Sequence, residues 1–143
     1  MPLANRGSVA AMDAAQALAE LTDLSSQVVR AVVLEDGGEV LAATDDDPVE
    51  AQALAGAALA LVGAAADLSS SGAEAARVEV ELSEGGLFVL REGGRTIAAT
   101  TGPGPTAGLV AYDLRTCLHA IEQKPKRRRA RKPKEPDEEK RTQ

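Results

Sequence analysis

The chain has 143 residues, with 16 Lys and Arg against 22 Asp and Glu and a formal charge of −6, a length that suits one domain with short extensions rather than two domains. With 44% apolar residues but 28 alanines, one Phe and one Tyr, any core is built from Leu, Val and Ala, which excludes the aromatic pockets of many ligand and nucleic-acid binders. One cysteine and one histidine exclude a disulfide framework and a Cys/His zinc site, and the lone thiol fits a reducing, cytoplasmic compartment.

Residues 1–7 carry no basic, apolar signal peptide and read as a short N-terminal extension to a domain over residues 8–123. The first helix is expected over residues 9–24, capped by Ser8, with Ala14, Leu18 and Leu21 at three- and four-residue spacing. Val28-Val-Arg-Ala-Val-Val-Leu34, rich in β-branched residues, then Asp36-Gly-Gly38, then Glu39-Val-Leu-Ala-Ala43, predict a hairpin around residues that tolerate positive φ. Asp47-Pro-Val-Glu50 is a strong helix start: an acidic N-cap, proline where no amide is needed, and a glutamate placed for a capping box. This second helix is expected to reach about Leu68, where Ser69-Ser-Ser-Gly72 stops it. Its uncharged stretch, residues 51–66, is shorter than the ~20 residues of a membrane span, so a soluble chain is expected. The stretch is apolar on nearly every face, which predicts burial on more than one side.

Arg77-Val-Glu-Val-Glu-Leu82 alternates charged and apolar residues as a strand with one wet face does. Glu84-Gly-Gly86 and Glu92-Gly-Gly94 separate it from Leu87-Phe-Val-Leu90 and Arg95-Thr-Ile-Ala-Ala-Thr100, which predicts a three-stranded antiparallel meander. Gly102-Pro-Gly-Pro105 ends the sheet, and a last helix over residues 106–121 sets Val110, Leu114, Cys117, Leu118 and Ile121 on one face. The order is helix-strand-strand-helix-strand-strand-strand-helix, an α+β protein with one five-stranded antiparallel sheet and helices on both faces.

Charge divides the chain. Residues 124–143 hold ten Lys and Arg against four Asp and Glu, while the preceding 123 hold six basic residues, all arginine, against 18 acidic ones. The run from Lys124 to Lys134 has almost nothing apolar, so a disordered basic C-terminal tail is expected. Lys126, Arg127, Arg128, Arg129, Arg131 and Lys132 are its candidate electrostatic contacts. Nucleic acid, anionic membrane and the chain's own acidic body are each possible partners, beside the plainer reading of a solvated tail.

In element order the chain resembles the roadblock domain family, named after a dynein light chain, and is similar to the small bacterial roadblock proteins that partner Ras-like GTPases. The residues that carry the likeness are Ala31-Val-Val-Leu-Glu-Asp-Gly-Gly-Glu-Val-Leu-Ala-Ala43, Gly86-Leu-Phe-Val-Leu90 and Gly108-Leu-Val-Ala-Tyr-Asp-Leu114, within residues 8–122. The alanine-rich second helix and the basic tail depart from the family pattern. The resemblance implies a homodimer in which two second helices pack antiparallel and two third strands pair, with the paired helices presented to a small Ras-like GTPase. The sequence supplies a physical reason: Ala53, Gly56, Ala57, Ala60, Gly63 and Ala64 form a side without bulky groups, so two such helices can approach closely. With Val78 and Val80 of the third strand they are the candidate dimer interface; the competing reading is an intramolecular core helix. A dimer would also pair two tails, which is the alternative function: a platform for tail-mediated binding to nucleic acid or membrane.

The catalytic inventory is poor. Cys117 and His119 stand two apart, so on a helix they do not face each other, and Cys117 reads as a small buried hydrophobe. No glycine turn has the phosphate-loop pattern, and Asp45-Asp-Asp47 lacks the further oxygen ligands of a calcium loop and is explained by helix capping. No arginine is singled out as a group inserted into a GTPase partner, and Arg30, Arg77, Arg91 and Arg95 read as easily as solvated strand residues. No enzyme activity, cofactor, metal or small-molecule substrate is expected; at most the chain regulates a partner's GTPase activity. Heavy use of Ala, Gly, Asp, Glu and Arg suits a GC-rich bacterium.

Overall fold

The computed structural model describes residues 12–71 and 76–121. Helix α1, Ala14–Leu24, starts later than expected: the Asp13 carboxylate accepts from the Gln16 amide at 2.8 Å, and the Gln16 side chain reaches back to the Asp13 amide. This reciprocal cap supplies partners for two amides that the helix itself leaves bare, which fixes the first turn here. Ser8, the expected cap, lies outside the described residues, as do the basic tail and its six candidate contacts. Ala14, Ala17, Leu18 and Leu21 are the buried stripe of α1.

Strands β1, Val28–Leu34, and β2, Val40–Ala43, form the expected hairpin. Its turn closes where the Gly38 amide donates to the Glu35 carbonyl at 2.8 Å, with Gly38 at φ 92°, a value that suits glycine. Helix α2, Pro48–Ala66, begins as read, with the Asp47 carboxylate accepting from the Val49 amide at 2.9 Å. Glu50 does not close a capping box; it bonds Arg30 of β1 at 2.9 Å instead, because an opposite charge lies within reach across the sheet. The helix ends at Ala66, two residues before the expected stop.

Strands β3, Arg77–Leu82, β4, Gly85–Glu92, and β5, Arg95–Thr101, make the meander. Gly93 and Gly94 at φ 63° and 83° form the two-residue link that matches strand twist. At the other link Gly85 and Gly86 belong to β4 rather than to the turn. A Cβ on Gly85 would run into the Thr101 carbonyl oxygen, so the close approach of β5 decides that residue. Helix α3, Ala107–Ala120, follows; the backbone amide of its N-cap Thr106 is satisfied by the Gln27 side-chain oxygen at 2.6 Å.

The sheet order is β2-β1-β5-β4-β3, antiparallel throughout. Helices α1 and α3 cover one face over Ala31, Val33, Phe88, Leu90, Ile97 and Ala99; α2 covers the other over Val32, Leu34, Val89 and Ala98. This alternation along each strand is the two-residue period of a sheet buried on both sides. The predicted stripe of α3 is buried in full: Val110, Leu114, Cys117, Leu118 and Ile121. The fold class is therefore the expected α+β arrangement with helices on both sheet faces.

Candidate interaction surface at the second helix

Helix α2 meets the sheet through Ala51, Leu54, Ala55 and Ala58, with Val62 half-buried beside them. These positions make one stripe. The opposite stripe consists of Ala53, Gly56, Ala57, Ala60, Gly63 and Ala64, and all six are exposed. The expectation that α2 is buried on more than one side fails within this chain, because a single sheet face can cover only one side of a helix. Its length also corrects the sequence reading: at 19 residues and a mean hydropathy of 1.6, α2 is long and apolar enough to cross a membrane by length and composition. The uncharged run by itself is shorter because the helix also takes in Pro48, Val49 and Glu50.

The glycines in the open stripe are informative. A Cβ added at Gly56 or Gly63 meets nothing within 4 Å, so nothing in the fold of this chain requires glycine there. Glycine inside a helix costs about 0.5–1 kcal/mol relative to alanine. Two such residues on the outward face lower the stability of the isolated helix and clear space along its backbone.

Strand β3 lies at the edge of the sheet and bonds only β4, so its outer backbone groups face away from the sheet. Val78 and Val80 are half-buried on it, and Val78 packs into the core beneath α2. The eight candidate interface residues thus gather on one side of the molecule, the helix stripe facing outward and the two valines along the adjoining edge. Exposed Leu82, at the end of the same strand, extends this apolar edge.

The arginines divide: Arg30 and Arg77 are exposed, as the solvated reading has it, and Arg95 is not. Arg30 lies between Glu50 at 2.9 Å and Asp45 at 3.6 Å, which ties β1 to the start of α2. Arg91 bonds Thr96 and Asp36, each at 3.2 Å, and Arg77 pairs with Glu79 at 2.9 Å. Arg95 is buried, with Glu35 at 3.7 Å, so the solvated reading is wrong for it: its strand position faces the layer of α1 and α3. Asp45 also accepts from the Asp47 amide at 2.9 Å, so two of the three clustered aspartates serve the helix start.

Sequence reasoning missed a cluster at the far end of the sheet. Glu92 accepts from Arg115 at 3.0 Å and bonds His119 at 2.6 Å; the bonds to His119 and then to Arg115 hold its carboxyl below the usual range. The spacing of Arg115 and His119, one helical turn apart, was the available signal. Cys117 points the other way, buried, and burial pushes its thiol up to about 12. It stays a protonated thiol at neutral pH and is not placed with His119. Among the described residues no group of three or more His, Cys, Asp or Glu is arranged to hold a metal ion.

No family model matches the sequence, and comparison with curated proteins finds no match. Solved structures do match. A Roadblock/LC7 domain from Streptomyces avermitilis superposes with a TM-score of 0.65 at 24% identity, covering 75% of this chain and 92% of that one. A second structure of the domain from that organism gives a TM-score of 0.59 at 26% identity, covering 72% and 92%. The gliding protein MglB from Thermus thermophilus gives 0.57 at 22% identity, covering 75% and 84%. The chain thus shares its overall fold with these proteins and folds as a roadblock domain.

Proposed function

We propose that the chain is a non-enzymatic scaffold or regulator that works as a homodimer through α2 and binds a small Ras-like GTPase in the cytoplasm. One observation carries the reading: the outward stripe of α2 has no bulky side chain and open space above Gly56 and Gly63, directly beside the unpaired edge of β3. A stripe of that kind lets two helices approach at the short end of the usual interaxial range of about 8–10 Å. An isologous pair would cover both stripes at once and allow the two β3 edges to continue one sheet across the dimer. The likeness to the roadblock family supports the GTPase as partner.

Light scattering of the full chain across a concentration range tests the first part. A mass of twice the chain that holds on dilution supports the pairing, and a monomer removes it. The second part is tested by titrating the chain against small Ras-like GTPases loaded with GDP or a non-hydrolysable GTP analogue. Nucleotide-dependent binding supports the reading. A hydrolysis rate that stays flat at saturating chain leaves the scaffold and removes the regulator.

A further inference from the structure

The opposite side of the molecule carries a second, unrelated surface. Between α1 and α3 runs a shallow groove with an apolar floor of Ala17, Leu21, Leu24, Cys117 and Ala120 and acidic walls, Glu20 on one helix and Asp113 on the other. Asp23, exposed, stands one turn from Glu20 on α1. None of these three acids forms an ion pair among the described residues, and what sets them apart from other unpaired acids such as Glu39, Asp46 and Glu81 is that they gather along one groove. Among the described residues these acids therefore stand unpaired around a floor that is largely buried at Ala17, Leu21 and Cys117 and exposed at Leu24.

The chain leaves the described structure at one end of this groove. Ile121 closes α3 beside Met12, which bridges to it and whose amide bonds the Ala120 carbonyl at 3.1 Å, and Met12 lines the groove at that end. Residues 122–143 follow directly, with Lys124, Lys126, Arg127, Arg128, Arg129, Arg131, Lys132 and Lys134 in their first part. Helix α1 has 11 residues and is about 16 Å long. Five or so extended residues span that distance at about 3.3 Å each. The basic run can thus lie along the groove from the Met12 end to Leu24 without leaving the surface.

We propose that the basic C-terminal segment of this chain occupies the groove between α1 and α3. Lysine and arginine suit both parts of it: their aliphatic stems cover exposed Leu24, while their charged ends reach Glu20, Asp23 and Asp113. Closing the segment onto its own chain involves a short loop, which keeps the entropic cost of the contact low. The contact screens the tail from other polyanions, so the tail is held in reserve rather than permanently offered.

The sequence provides a direct test. All lysines lie in the C-terminal segment and none in the first 123 residues, so every carbodiimide cross-link between a lysine and a carboxylate of the folded body reports a tail contact. With the full chain at micromolar concentration, most tail-to-body links are expected at Glu20, Asp23 and Asp113. They should fade between about 0.1 M and 1 M salt, where the screening length falls from ~10 to ~3 Å. Mixing isotope-labelled with unlabelled chains separates links within a chain from links between chains. Links spread evenly over Glu39, Asp46, Glu81 and the groove acids, links only between chains, or no links at all overturn the proposal. Heparin retention gives a second measure. The variant Glu20→Gln, Asp23→Asn, Asp113→Asn should elute at higher salt than the charge-matched variant Glu39→Gln, Asp46→Asn, Glu84→Gln, because only the first frees the tail. Equal elution means the groove does not hold it.

Discussion

The two faces of the sheet are covered by helices of opposite character. On one, α1 and α3 bring Leu18, Leu21, Val110, Leu114 and Leu118 down onto Val33, Ile97 and Phe88, and the result is a closed core. On the other, α2 alone meets the sheet with alanines and Leu54, and turns a stripe of alanine and glycine outward. Bulky side chains stand where this chain packs on itself, and small ones where its backbone is left approachable. The difference separates residues that hold the fold together from residues available for association.

Mutations sharpen that contrast in order of size. Leu114 is fully buried, and Leu114→Ala should lower stability by about 2–5 kcal/mol in urea unfolding. A loss below about 1 kcal/mol would mean that the α1 and α3 face is not the tight core. The open stripe should behave in the reverse way. Ala57→Glu with Ala60→Glu should leave the circular dichroism unchanged while raising the dimer dissociation constant about 100-fold, or about 2.7 kcal/mol, as read by light scattering. Unchanged association would remove α2 from the interface.

Cys117 tests the closed face more gently. Cys117→Ser puts a hydroxyl among apolar neighbours and should cost about 1–3 kcal/mol in thermal unfolding. The wild-type thiol has a pH signature. Its folded value of about 12 lies above the ordinary value of 9.0, so the folded state keeps a proton that the unfolded chain releases. Stability should therefore be complete below pH 9 and fall as pH rises from there toward 12, and Cys117→Ala should lack this decline.

The smallest effect is expected at Glu92. Its carboxyl is held low by His119 and Arg115, so its contribution is present above the ordinary carboxylate range and is lost as pH falls through its depressed folded value. Glu92→Gln should cost a little at neutral pH and nothing in strong acid. An acid-stable difference between the two proteins would show that charge is not the cause.

Much of this fold is legible in the sequence because it is written in local chemistry. Asp47 and Pro48 start a helix by capping and fixed φ, the alternation of Arg77 to Leu82 marks a strand with one wet face, and the stripe of α3 follows the helical period. The errors came where a distant partner intervened. Glu50 left its own helix for Arg30, Arg95 was taken into the layer under α1 and α3, and Glu92 collected Arg115 and His119 from another element. Asp13 caps α1 because its carboxylate reaches the Gln16 amide, a pairing the local pattern did not single out.

The candidate surface divides in the same way. The sequence by itself determined that α2 has a side without bulky groups and that a basic segment follows an acidic body, since both are matters of composition and spacing. Which side of α2 faces outward, that β3 is an edge strand beside it, and that Ile121, the last described residue, lies by Met12 at the mouth of an acidic groove were decided by tertiary structure alone. They depend on how strands from both halves of the chain are ordered in one sheet, and that order is set by long-range burial rather than by any local run of residues.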